Sequence, residues 1–111
     1  MKIEYAIDRY AMEAKRQFDV LDRHLAEHRF AAGDEYSIAD MAIWPWYGAI
    51  ALGQAYGDAA DFLSLKDYRH FNRWVDEVAA RPAVQRGRRV NRKPSNDPSF
   101  ILERHSAQDL D

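Results

Sequence analysis

Apolar residues recur at spacings of three and four from Ile3 through Ile7, Tyr10, Ala14, Phe18 and Leu21 to Leu25. That is the period of one apolar face on a long helix. Good helix formers, with charges such as Lys15, Arg16, Asp19, Asp22 and Arg23, fill the other positions. Gly33 with Asp34 supplies a stop and a turn. From Met41 to Leu52 the periodicity disappears, because nearly every face is apolar, and this predicts a helix buried all round. Pro45 inside it should kink it, and its end is expected between Gly53 and Gly57. Asp58 to Leu63 predicts a short helical turn, and Lys66 to Ala80 a clear helix with Tyr68, Phe71, Trp74, Val75 and Val78 on one side. Arg81-Pro82 breaks it, and Pro82 suits the first turn of a short helix running to Gly87. From Arg88 the pattern fades, and residues 93–98 have loop chemistry. No strand and no internal repeat is predicted. The expectation is an all-α bundle, with residues 1–94 as the helical domain and 95–111 as an extended tail.

The start of the apolar helix carries the most specific local signal. Ser37 and Asp40 in Tyr36-Ser37-Ile38-Ala39-Asp40 have the S-x-x-D spacing of a capping box. The Ser37 hydroxyl can accept the N–H of Asp40, and the Asp40 carboxylate can reach back to the N–H of Ser37. Tyr36 and Met41 have the spacing of a hydrophobic staple. A cap that opens a buried helix must itself be buried.

Composition narrows the class. The 111 residues suffice for one small core. At 47% hydrophobic the chain is globular rather than disordered. With no cysteine, neither a disulfide framework nor a CxxC redox pair can exist, which is consistent with a reducing, cytoplasmic setting. The start is charged from Lys2 onward, and the longest apolar run is too short and too punctuated for a bilayer. A formal net charge of −2 gives no global pull toward nucleic acid or membrane.

Three stretches together carry a resemblance: residues 2–10 (Lys2-Ile3-Glu4-Tyr5-Ala6-Ile7-Asp8-Arg9-Tyr10), residues 33–46 around the Ser37 cap with Trp44-Pro45-Trp46, and Arg81-Pro82-Ala83-Val84-Gln85-Arg86-Gly87. The chain resembles the C-terminal helical domain of glutathione transferases, and at finer grain the bacterial Nu class, which are glutathione-dependent disulfide-bond reductases. The resemblance implies a thioredoxin-like domain ahead of the helical one, holding most of the glutathione site. The 111 residues include neither that domain nor most of the first helix of the bundle, so the bundle is expected to be incomplete at its N-terminal helix. Part of the Ile3, Ile7, Tyr10 and Ala14 stripe would then lack cover, and self-association is expected.

The resemblance also implies a role for Arg9, in the matching I-x-Arg context, as a guanidinium for a glutathione carboxylate; the alternative is a solvated helix arginine. Tyr5, one turn earlier, can share that face or be a half-buried aromatic. Asp40 is expected to be structural, because its carboxylate is already used by backbone donors. His24 and His28 are four apart, but without the HExxH order or a third ligand they suit a solvated face better than a metal site. Trp44, Trp46 and Trp74 read as core, with Trp46 and Tyr47 as potential lining of an apolar substrate pocket. The basic group Arg86, Arg88, Arg89, Arg92 and Lys93 lacks interleaved aromatics, so a solvated surface is favoured over a nucleic-acid patch. No nucleophile–base pair is evident, so no catalytic residue is assigned, and the isolated chain is expected to be inactive. The rival reading is a non-catalytic helical protein-interaction module derived from a transferase.

Overall fold

The computed structural model describes residues 1–90 and 106–110. Within them run α1 (Glu4–Glu27), α2 (Ile38–Ala51), α3 (Ala59–Phe62), a 3-10 turn (Leu65–Asp67), α4 (Arg69–Ala79), α5 (Pro82–Gly87) and a second 3-10 turn (Ala107–Leu110). The only bridge of β type among the described residues is the isolated pair Phe30 and Gly33. The fold is therefore all-α, as the periodicity implies. Of the predicted tail, residues 106–110 are described and hold the 3-10 turn; its other residues and the boundary at 94/95, with Arg92 and Lys93, lie outside the described residues. Residues 1–76 make one compact unit and the chain from Glu77 on another.

Unit one is built on aromatic packing. Phe18 of α1 is buried, with its ring edge-on to Tyr47 at 5.0 Å and to Phe71 at 5.2 Å, and Phe71 lies 6.0 Å from Trp74. Leu25, Phe30, Trp44, Leu63, Leu65 and Val75 complete the buried apolar side chains of this unit. Hydrogen bonds tie the helices across it. Asp22 Oδ1 accepts the Phe71 N–H at 2.8 Å, so a carboxylate on α1 caps the start of α4. Lys15 Nζ donates to the Leu63 carbonyl at 3.1 Å. Asn72 Nδ2 donates to the carbonyls of Leu65 and Tyr68.

Three sequence expectations need correction. α1 ends at Glu27, six residues before Gly33. Its last carbonyls are taken by the Arg73 guanidinium, which donates to Leu25, His28 and Arg29, while Phe30 and Gly33 close a separate turn. α4 begins at Arg69 rather than Lys66, because Ser64 at φ 54° starts a 3-10 turn over Leu65–Asp67. α2 is not buried all round: Ile38 is 82% exposed and Trp46 67%, with Met41 and Leu52 also exposed, so one apolar row of this helix faces outward. Its inner row is Asp40, Trp44 and Gly48.

In unit two, Arg81 is the extended residue ahead of α5 and Pro82 opens it. Gln85 N–H donates to the Arg81 carbonyl at 3.0 Å.

Gly48 is required by a close approach. A Cβ built there would stand 2.7 Å from Cε2 and Nε1 of Trp44. That indole cannot simply swing away, because its Nε1 donates to the Val75 carbonyl at 3.1 Å inside the core. Gly48→Ala is expected to cost about 1–3 kcal/mol through overpacking. Chemical denaturation monitored by tryptophan fluorescence checks this; an unchanged midpoint would contradict the packing.

Candidate functional site

Asp40 is fully buried, and its position follows from the cap. Ser37 takes extended backbone ahead of α2; its hydroxyl accepts from Ala39 N–H at 3.2 Å and completes a capping box with Asp40. The carboxylate does more than the box asks. Oδ2 accepts Ser37 N–H at 3.0 Å, while Oδ1 accepts Ala31 N–H at 2.9 Å and Trp74 Nε1–H at 2.7 Å. Every one of these donors is structural, and none is arranged to pass a proton to a ligand. The expected staple partner Met41 is more than half exposed, and Tyr36 stands edge-on to Phe30 at 5.8 Å.

The side-chain chemistry that faces outward lies on the first half of α1. Tyr5 is 80% exposed and Arg9 is exposed one turn later. Another turn on, Glu13 accepts both Nε (3.0 Å) and Nη2 (2.7 Å) of Arg16, a bidentate fork. Gln17 Nε2 also donates to Glu13, at 3.2 Å, and Gln17 Oε1 accepts the Tyr47 hydroxyl. The Arg16 fork holds the Glu13 carboxyl well below the usual carboxylate range, to about 2; the Gln17 amide and the nearby charge of Arg9 act the same way. The chain Arg16–Glu13–Gln17–Tyr47 thus joins α1 to α2. Sequence reasoning missed it. The spacings of Arg16 and Gln17 from Glu13 were visible, but the partner across on α2 was not.

The histidines are less solvated than their spacing suggested. His28 is the residue that leaves α1, its ring is 4.6 Å from that of His24, and its Nδ1 is 4.0 Å from Asp34 Oδ1. His24 is half-buried, and its Nε2 is buried without a hydrogen-bond partner. Among the described residues no group of three or more His, Cys, Asp or Glu could hold a metal ion. No described helix is long and apolar enough to cross a membrane. Of the basic group, Arg86 and Arg88 are exposed and Arg89 is half-buried.

The family model "Glutathione S-transferase, C-terminal domain" matches residues 4–77. The chain belongs to the glutathione S-transferase family, of which it represents the C-terminal helical domain. It is 58% identical over all 111 residues to the disulfide-bond oxidoreductase YghU of Escherichia coli, covering 38% of that protein. It is 35% identical over 82 residues to the E. coli disulfide-bond oxidoreductase YfcG, covering 74% of this chain and 34% of that one. The solved glutathione transferase YghU from Streptococcus pneumoniae, complexed with glutathione, superposes with a TM-score of 0.76 at 47% identity, over 78% of this chain and 33% of that one. The chain therefore spans 33–38% of the length of these relatives.

Asp40 yields the prediction of this section. Asp40→Ala would strand one buried and two partly buried donors and is expected to cost about 3–5 kcal/mol, whereas Ser37→Ala, which removes one partly buried acceptor, is expected to cost about 1–2 kcal/mol. Equal losses for the two variants in thermal melts would contradict a carboxylate that serves three segments.

Proposed function

We propose that the chain is the substrate-side helical domain of a glutathione-dependent disulfide reductase. The observation that carries this reading is the identity to YghU over the whole chain, far above the level at which only the fold is shared. The glutathione-complexed relative supports glutathione as the small molecule concerned. Under this reading Arg9 meets a carboxylate of glutathione and Tyr5 lies beside it. Both are solvent-accessible on one flank of α1, and a guanidinium suits a carboxylate because its donors match both oxygens. Trp46 and Tyr47 offer an apolar wall near that flank. The helical domain acts in a cytoplasmic setting.

The nucleophile in such chemistry is the glutathione thiolate, which attacks one sulfur of a disulfide and releases the other as a thiolate. The chain contributes no sulfur nucleophile, since it has no cysteine. Its share is position: holding the tripeptide and walling the second substrate. The purified 111 residues should therefore leave glutathione-dependent reduction of hydroxyethyl disulfide at background. A robust rate that Arg9→Ala abolishes would overturn that division of labour.

The outward apolar stripe on α1 bears on assembly. Ile3, Ile7 and Tyr10 are all exposed. Together they leave an uncovered surface on the order of several hundred Å², large for a monomer. A symmetric pairing of two copies would bury the same stripe on both. Sedimentation at micromolar concentration should show a dimer that Ile7→Glu dissociates; a monomer at all concentrations would count against pairing.

A further inference from the structure

We propose that His24 and His28, at the end of α1, form a two-imidazole chelate for a divalent transition cation that takes its ligands at right angles, nickel(II) or copper(II).

The starting observation is an open nitrogen. His24 Nε2 is buried and has no hydrogen-bond partner. With the ring proton on Nδ1, this nitrogen presents a lone pair that no donor meets, and a buried polar atom is rarely left so unless a water or an ion fills it. A second imidazole stands beside it: the His28 ring centroid is 4.6 Å away, with the two planes 31° apart.

That separation selects the metal. A ring nitrogen about 2.0–2.1 Å from a cation puts the ring centroid about 3.2 Å from it, whichever nitrogen binds. Two such rings at right angles about the cation have centroids about 4.5 Å apart, whereas the tetrahedral angle that zinc takes spreads them to about 5.2 Å. The observed spacing fits the right angle of square-planar or octahedral coordination.

The surroundings hold the pair in place. The His28 N–H donates to the His24 carbonyl at 3.0 Å, which fixes the two residues relative to each other. His28 Nδ1 is 4.0 Å from Asp34 Oδ1, and that oxygen also accepts the Arg29 N–H at 3.3 Å. A carboxylate on this side draws the His28 proton to Nδ1 and leaves Nε2 as the ligand, as an outer partner does for a metal-bound histidine. Arg73 already occupies the carbonyls of Leu25, His28 and Arg29. No third His, Cys, Asp or Glu among the described residues joins the pair, so water completes the coordination. The His28 side chain is 42% exposed, which opens the pair to solvent.

The test is a calorimetric titration of the full chain with nickel(II) chloride, zinc(II) chloride and, against glycine as a competing ligand, copper(II) chloride. One equivalent should bind, copper more tightly than nickel and nickel more tightly than zinc. His24→Gln and His28→Gln should each weaken binding by about tenfold or more, and Asp34→Asn by about tenfold, while His70→Gln leaves it unchanged. Zinc bound as tightly as nickel, or affinity that survives either substitution in the pair, would overturn the proposal. Circular dichroism of each variant separates a lost ligand from a lost fold. Electron paramagnetic resonance of the unsubstituted chain with one equivalent of copper(II) decides the matter without any variant. Hyperfine structure from two imidazole nitrogens is expected, and a spectrum showing one or none overturns the site.

Discussion

A buried carboxylate must have its oxygens filled, and Asp40 fills them from three separate parts of the chain: the turn after α1 through Ala31, the cap of α2 through Ser37, and α4 through the Trp74 indole. Moving any one of these segments would strip a donor from a buried charge. The pairing also runs the other way. Trp44, one turn into α2, donates its indole N–H to the carbonyl of Val75, the residue after Trp74. Two indole bonds in opposite directions, at adjacent residues of α4, set how α4 lies along α2 in both rotation and height. Gly48 lets the Trp44 ring lie flat enough to do this.

α1 is anchored to that pair unevenly. Its second half is held by Asp22 on the start of α4, by Arg73 on its terminal carbonyls and by the buried Phe18 ring and Leu25 side chain. Its first half has no buried residue. The Arg16–Glu13–Gln17–Tyr47 chain sits at the junction of the two regimes. The side chains proposed to meet a ligand thus stand where α1 passes from fixed to free. Core packing does not hold them, since no residue of this half is buried.

Much of this was legible before any coordinates. The period-3.6 stripe located α1 and α4, the S-x-x-D spacing located the start of α2, and Pro82 located α5. What failed did so for physical reasons. Absence of periodicity in residues 41–52 was read as burial on every side, yet burial is a property of neighbours, and the row Ile38, Met41 and Trp46 has none among the described residues that covers it. The end of α1 was placed at Gly33, because the strongest local stop signal lies there. The actual stop comes from Arg73, over forty residues away in sequence. Local spacing showed one donor for Asp40. The other two come from Ala31 and Trp74, and no local rule reaches them. Function was legible only through family resemblance; spacing alone left Arg9 as an ordinary helix arginine.

A protein without cysteine can still share in disulfide chemistry, because that chemistry divides into two tasks. Activating a thiol requires cationic groups or donors close to sulfur, and no described constellation here supplies them beside an open site. Placing the tripeptide requires only that its distant charges be matched, which on the proposed reading is the task of Arg9 on α1. The acidity of Glu13 follows from the same bonds that immobilise it, so its charge and its position cannot be varied separately. On the proposed reading, the helical domain contributes to rate by restricting where the thiol can go, through side chains some distance from the reacting sulfur.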